Sequence, residues 1–346
     1  MQIKDLGEFG VVDLLNRMVV EQRAGPDNGA GLGFRLKVDT GDDTAAWSTG
    51  HATELFTTDT MVEGVHFTRQ TTPWRDLGWK SMASNISDVA SMGGLPMYAL
   101  VTLGLPPETE IADLEELYRG MLEINNQHGV AIVGGDMVRS PVAFITVGLT
   151  GVHEGSPMTR STAQPGDLVA VTGNLGGSGG GLKVMLGDQG EDGRVSNAPL
   201  QISAEAADYL KRCHRRPNPA VAQGRILSEA GVVTAMDISD GLAGDLGKLC
   251  LSSGLAARVY ADRIPVHHLL RQAFPEDWLD LALNGGEDYQ LLFTANRETM
   301  DRVRPLMVEP PTVVGEVLAG PLGSVVVVDG QGAESQAKTV GWDHFS

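Results

Sequence analysis

A two-domain α/β fold is predicted by three features of this 346-residue chain. Its length exceeds the usual reach of one hydrophobic core and fits two. Short apolar stretches of strand character alternate with amphipathic stretches of helical period. A break punctuated by Gly155, Pro157, Pro165 and Gly166 then separates the halves, which sets the domains at residues 1–155 and 156–346.

In chain order, Phe9, Val12, Leu15 and Val19 recur at helical spacing, so residues 8–20 read as a short amphipathic helix. Residues 24–33 are rich in Gly, lack periodicity and read as a loop. Residues 54–58 read as a strand whose end delivers Thr58 and Asp59. Pro73 ahead of Trp74 opens a helix to about Met92. On it Ser81, Asn85 and Asp88 are spaced by four and three and share one face. Residues 108–128 form a second helix by pattern. Residues 130–133 look like a buried strand ending at Gly134-Gly135-Asp136, and residues 142–152 like an alternating one with an open edge. The second half restarts with a strand over 168–172, a Gly-rich run over 173–181 and a helix from Leu182. A helix from Pro219, a strand over 232–236 and a helix from Leu242 follow.

Charge narrows the function. Lys and Arg number 26 against 44 Asp and Glu, a net charge of −18. That excess of acid argues against nucleic-acid and anionic-membrane partners, which reward basic surfaces. An anionic small substrate stays compatible with it provided cations bridge the two negative partners. Cys213 and Cys250 are too few and too isolated for a disulfide framework or a Cys-based zinc site. No apolar run approaches the roughly 18 residues of a membrane span. The first eight residues carry acids where a signal peptide needs an apolar core, so a cytoplasmic protein is expected.

Five segments place Asp beside Gly or a small hydroxyl residue: Gly41-Asp42-Asp43-Thr44, Thr57-Thr58-Asp59-Thr60, Asn85-Ile86-Ser87-Asp88, Gly134-Gly135-Asp136 and Asp237-Ile238-Ser239-Asp240-Gly241. Asn284-Gly285-Gly286-Glu287-Asp288-Tyr289 is a glutamate-bearing relative. Carboxylates repel one another, so a fold that gathers them needs cations between them, and such oxygen donors suit Mg²⁺ or Ca²⁺ rather than zinc. Taken singly, an Asp beside Gly is most often a turn or a helix cap. Their repetition after strands, whose ends converge on one rim of a sheet, points to a common site. The run at 173–181 offers backbone N–H groups to a phosphate or, alternatively, room for close strand–helix packing, and it lacks the Walker and dinucleotide spacings. His66 reads either as a packed structural residue or as a functional one. Trp342 reads as core packing of a tail or as a platform for a flat heterocycle.

Leu6-Gly7-Glu8-Phe9-Gly10, Thr57-Thr58-Asp59, Glu63-Gly64-Val65-His66-Phe67, Asn85-Ile86-Ser87-Asp88-Val89, Val133-Gly134-Gly135-Asp136, Met236-Asp237-Ile238-Ser239-Asp240-Gly241-Leu242, Gly285-Gly286-Glu287-Asp288-Tyr289 and Gly341-Trp342-Asp343-His344-Phe345 follow one another along nearly the whole chain. In order and content they resemble the thiamine-monophosphate kinase family. Several are shared with the wider aminoimidazole-ribonucleotide-synthetase-like superfamily, whereas the motifs around His66 and Trp342 are more particular to the kinases. The resemblance implies a mixed α/β (α+β) fold. Its N-terminal ATP- and Mg²⁺-binding domain would pair strands with a second subunit in a barrel at a homodimer interface, and its C-terminal domain would be α/β. It implies ATP-dependent conversion of thiamine monophosphate to thiamine diphosphate with several Mg²⁺ ions. By the same resemblance Asp43, Thr57, Thr58, Asp59, Asp88, Asp136, Asp237 and Asp240 are metal ligands, with Asp43, Asp59, Asp88, Asp136 and Asp240 the catalytic acids. Tyr118, Gly135, Asp136, Arg160 and Ser239 would meet ATP, and His66, Glu287 and Trp342 thiamine phosphate. Two departures stand out: the segment 24–38 is longer than the family pattern, and Thr40 replaces the usual apolar residue before Gly-Asp-Asp.

The nucleophile would be a phosphate oxygen of the substrate, already mostly ionised at neutral pH because its second pKa is about 6. No general base is needed, which suits motifs made of carboxylates and hydroxyls. The work is to hold two polyanions in line and neutralise the transferring group, helped by Arg160, whose planar fork suits phosphate. Other ATP-dependent members of the superfamily are the alternatives. Selenophosphate synthesis is disfavoured because no Cys precedes Cys213. A non-catalytic metal- or nucleotide-binding protein is the alternative from another class.

Overall fold

Residues 14–15, 17–19, 21, 35–38, 46–48, 50, 53–187 and 202–337 are described by a computed structural model. They fall into two units, Met1–Val89 with Gly94–Ser156 and Ala90–Gly93 with Pro157–Ser346. Near the start, Leu15, Met18 and Val19 are helical and buried, at the spacing of one helix face. Phe9 and Val12, the other half of that expected helix, lie outside the described residues.

In the first unit β1 (Arg35–Val38) pairs antiparallel with β2 (Ala46–Ser48). The main sheet contains β3 (Thr53–Val62), β4 (Leu95–Leu105), β5 (Ala131–Arg139) and β6 (Phe144–His153), in the order β3-β6-β4-β5. β6 runs antiparallel to both neighbours, and β4 and β5 are parallel. Two helices follow β3 and β4, α1 (Trp74–Ser91) and α2 (Ile111–His128). They approach through glycine: a Cβ on Gly78 would lie 1.8 Å from the Leu117 carbonyl oxygen, and one on Gly120 equally close to that of Arg75.

Side chains alternate across a strand. On one face Leu55, Met61, Val101, Leu103, Ile145, Val147 and Leu149 are buried. The other face is open: Phe56 is 72% exposed and Leu100 and Val138 are each 42% exposed. Two expectations need correction here. β3 runs on to Val62 and β5 to Arg139, because their ladders with β6 and β4 continue past the acidic motifs, so Asp59 and Asp136 lie within strands. The segment 142–152 has no open edge, since β6 is an interior strand and the edges are β3 and β5. Among the described residues no sheet closes into a barrel.

The second unit holds β7 (Leu168–Val171), β8 (Thr234–Asp237), β9 (Ala256–Tyr260), β10 (Leu291–Ala295), β11 (Thr312–Leu318), β12 (Val325–Val328) and β13 (Glu334–Gln336). They form one sheet in the order β13-β12-β9-β11-β7-β10-β8, antiparallel except for β9 and β12. Its helices are α3 (Gly177–Leu186), α4 (Ala204–Arg215), α5 (Val221–Glu229), α6 (Leu242–Ser253), α7 (His268–Ala273), α8 (Trp278–Asn284) and α9 (Arg297–Val303). Val169, Val171 and Leu292 pack with Leu246 and Leu249 of α6. Ala170, Leu291 and Phe293 pack with Leu227 of α5 and Met300 of α9. Burial on both faces explains why β10 is buried at every residue. The second half of the Gly-rich run is helical: α3 begins at Gly177, not at Leu182, and a Cβ on Gly181 would lie 2.1 Å from the Leu210 carbonyl oxygen of α4. Among the described residues no helix is long and apolar enough to cross a membrane.

Candidate active site

In the first unit the shared face of α1 meets β3. Thr57 donates its hydroxyl hydrogen to Asp88 Oδ2 at 2.5 Å, and the Asp59 backbone N–H donates to Asn85 Oδ1 at 3.1 Å. Burial pushes the Asp59 carboxyl above its ordinary range, against a Ser84 hydrogen bond and the charge of His66, which both lower it. His66 accepts the Val62 N–H on Nδ1 at 3.1 Å. Thr58 is exposed on the opposite face of the strand from Thr57 and Asp59.

Asp136 stands apart from this group. Its rung runs through Thr102 and Thr146 to Thr60 at the far edge, and it shares the outward face with them. Three strand spacings put it about 14 Å from β3. Within one chain it therefore shares no ion with Asp59 or Asp88. Gly135 is required by the backbone itself, since a Cβ there would lie 1.9 Å from the Val101 carbonyl oxygen. Tyr118 is buried in α2, and burial raises its hydroxyl pKa.

In the second unit, β8 ends at Asp237 and the chain turns through Ser239, Asp240 and Gly241 into α6. Asp245, on the first turn of α6, fixes that turn: its Oδ2 accepts the N–H of Ser239 and of Asp240, each at 2.9 Å. Lys248 donates to Asp240 and, at 2.9 Å, to Asp245 Oδ1. Burial raises the Asp245 pKa, with Lys248 opposing it. For Lys248 burial acts downward, but its two carboxylate partners prevail and raise it. Arg160 is exposed, and its carbonyl oxygen accepts the Ser253 hydroxyl at 3.0 Å.

The loop of Glu287 to Tyr289 passes the same turn. Glu287 N–H donates to Ser239 O at 2.8 Å and Tyr289 N–H to Ile238 O at 2.9 Å. Asp288 faces inward and accepts the N–H groups of Gly176 at 2.5 Å and Ser178 at 3.0 Å, at the start of α3. The Gly176 and Ser178 N–H groups of the Gly-rich run are thus taken by the chain's own carboxylate. Glu287 faces His214, whose Nδ1 lies 3.5 Å from Glu287 Oε2 and 3.0 Å from Ser178 Oγ. Hydroxyl and carboxylate meet at the same ring nitrogen, whereas a nucleophilic triad uses the two nitrogens separately. Ser178 and His214 are also buried, so the arrangement positions Glu287 and attacks nothing.

Asp43 and Trp342 lie outside the described residues. Among the described residues no group of three His, Cys, Asp or Glu could hold one metal ion. Sequence reasoning missed Asp245, Lys248, Asp288 and His214. The signals available were an acid and a base at three-residue spacing on α6, and the second acid of Glu287-Asp288.

Residues 41–153 match the family described as AIR synthase related protein, N-terminal domain, and residues 164–328 match its C-terminal domain. A Bacillus subtilis protein named thiamine-monophosphate kinase is 32% identical over 316 residues, which span 90% of this chain and 94% of the relative. This chain belongs to the thiamine-monophosphate kinase family. The kinase of Stenotrophomonas maltophilia K279a has a solved structure that matches 93% of this chain and 96% of its own, at 32% identity and a TM-score of 0.76. A structure of AaThiL complexed with AMPPCP and TMP covers 100% of this chain and 99% of its own, at 31% identity and a TM-score of 0.73. The two-domain mixed α/β fold is that of the kinase family.

Proposed function

We propose that this chain transfers the terminal phosphoryl group of ATP to thiamine monophosphate, yielding ADP and thiamine diphosphate. The observation that carries the reading is the end-to-end likeness, at 31% identity, to a kinase complexed with AMPPCP and TMP. The local chemistry supports it. A phosphate acceptor needs no deprotonation, and the sites described above offer carboxylates, hydroxyls and backbone amides.

Hydroxyl and carboxylate oxygens suit a hard divalent cation, and Thr57 and Asp88 bring one of each together. Asp43, Thr57, Thr58, Asp59, Asp88, Asp136, Asp237 and Asp240 would hold Mg²⁺. Bound there, Mg²⁺ would neutralise phosphate oxygens and favour in-line attack. In this reading Gly135, Asp136, Arg160, Ser239 and Tyr118 serve ATP, while His66, Glu287 and Trp342 serve thiamine phosphate. Residues 1–155 carry ATP and Mg²⁺ binding, and residues 156–346 form the second domain.

The same reading includes a homodimer through the N-terminal domain. Phe56, Leu100 and Val138 are exposed apolar side chains on the outward face they share with Thr60, Thr102, Thr146 and Asp136, on a sheet whose edges among the described residues are β3 and β5. Two such four-stranded sheets supply eight strands, the number whose barrel interior side chains just fill. Asp136 lies on that face, so a second copy would bring another acid to the interface. The free cysteines Cys213 and Cys250 suit a reducing, cytoplasmic setting. The test is ADP release with thiamine monophosphate added or omitted. Substrate-dependent ADP is expected, and its absence at saturating Mg²⁺ overturns the reading.

A further inference from the structure

We propose that Asp288 is a positioning residue for substrate: it pins the loop beside it onto the start of α3 and so aims the Glu287 side chain. The inference rests on the reading of Glu287 as a thiamine-phosphate contact. Glu287 and Tyr289 are the non-glycine residues with positive φ among those described, at +65° and +50°. Such backbone persists in a non-glycine residue when its surroundings over-determine it. Here the surroundings can be named. Gly285 and Gly286 leave no room on either side, since a Cβ would lie 2.3 Å from Leu281 O and 2.5 Å from Ser239 O. The N–H groups of Glu287 and Tyr289 are bound to Ser239 and Ile238. Between them the Asp288 carboxylate, 9% exposed, is seated on two N–H groups of α3.

Two adjacent acids are thereby sorted. Asp288 points into the protein, its carboxyl group seated on the N–H groups at the start of α3. Glu287 points the other way, its side chain 28% exposed beside His214, and in the proposed reading faces the thiazolium cation of thiamine phosphate. Cys213 and Tyr209 are the other titratable groups whose charge acts on Asp288 besides Glu287. Both are neutral acids near neutral pH, since burial raises each pKa.

The test uses the full chain with Asp288→Ala, Asp288→Ser and Glu287→Ala. Serine keeps a short acceptor of the kind that caps helices, so it guards against loss of fold. Asp288→Ala should raise KM for thiamine monophosphate about tenfold at near-constant kcat, the pattern of lost ground-state binding, with KM for ATP within about twofold. The amides of Gly176 and Ser178 should exchange faster with solvent, and Asp288→Ser should restore most of both effects. On a Glu287→Ala background Asp288→Ala should add little, because the two act through one contact. Parallel weakening of both substrates with a lower Tm would make Asp288 merely structural and overturn the inference. An unchanged KM in Asp288→Ala beside a full effect of Glu287→Ala overturns the positioning role alone. An unchanged KM in Glu287→Ala instead overturns the substrate assignment beneath it.

Discussion

In the first unit Asp59 and Asp88 meet the hydroxyls of Ser84 and Thr57, whereas in the second unit Asp240 and Asp245 share the ammonium of Lys248. A hydroxyl satisfies a lone pair and leaves the charge in place. An ammonium removes one of two charges. The second group is thus partly self-compensated and braces a backbone turn, while the first meets hydroxyls, with the charge of His66 also acting on Asp59. The proposed reading gives the first group a bound cation, whereas in the second Asp245 and Lys248 hold the shape of a turn.

The largest expected effect follows from the first group. Asp59→Asn or Asp88→Asn should lower kcat by about 10³-fold or more, as loss of charge stabilisation at a transition state does, with Tm shifted by no more than about 3 °C. ADP release and a thermal melt read the two quantities, and near-normal turnover at saturating Mg²⁺ would break the contrast. In the second group Asp245→Ala should act on stability first, costing about 2 kcal/mol through the two orphaned N–H groups and Lys248. Urea unfolding measures it. A loss of activity with no loss of stability would make the two groups alike.

Phe56→Asp tests the outward face that accompanies the first group. Light scattering at micromolar concentration should give a dimer mass for the parent chain and a monomer mass for the variant, with the secondary structure unchanged.

The smallest effect is a pH slope. Burial pushes the Asp288 carboxyl from its ordinary 3.8 up to about 7, although the N–H groups of Ser178 and Gly176 pull it down. The folded chain then keeps a proton that the unfolded chain has lost between 3.8 and about 7. Stability contributed by this group is therefore present at low pH, falls as pH rises through that window and levels off above it. In Asp288→Asn the slope should flatten by up to one proton, read from unfolding free energies at several pH values. An unchanged slope would show that Asp288 ionises normally.

What the sequence revealed was local. Ser81, Asn85 and Asp88 could be placed on one face because helical period is written in adjacent residues, and Asn85 and Asp88 of that face meet Asp59 and Thr57. The end of β3 was misplaced because Asp is a poor strand former, while the ladder that carries it through to Val62 belongs to β6, about 90 residues onward. The separation of Asp136 from Asp59 depends on strand order, which no motif encodes. Asp245 passed as an ordinary acid in a first turn, where acids are common. Asp288 was unreadable in its role because its partners lie 110 and 112 residues away in sequence.

The left-handed backbone at Glu287 and Tyr289 bears on how this chain tolerates change. Glycine adopts that conformation without steric cost, so Gly at either position relieves about 1–2 kcal/mol of strain, less the extra chain entropy of glycine. A screen for heat resistance alone would drift toward Gly or Asn there. A screen that also scores turnover would keep Glu287 and accept the strain. Sequences recovered under the two regimes should diverge at residue 287 before they diverge in the core, which makes that position an indicator of which pressure has acted.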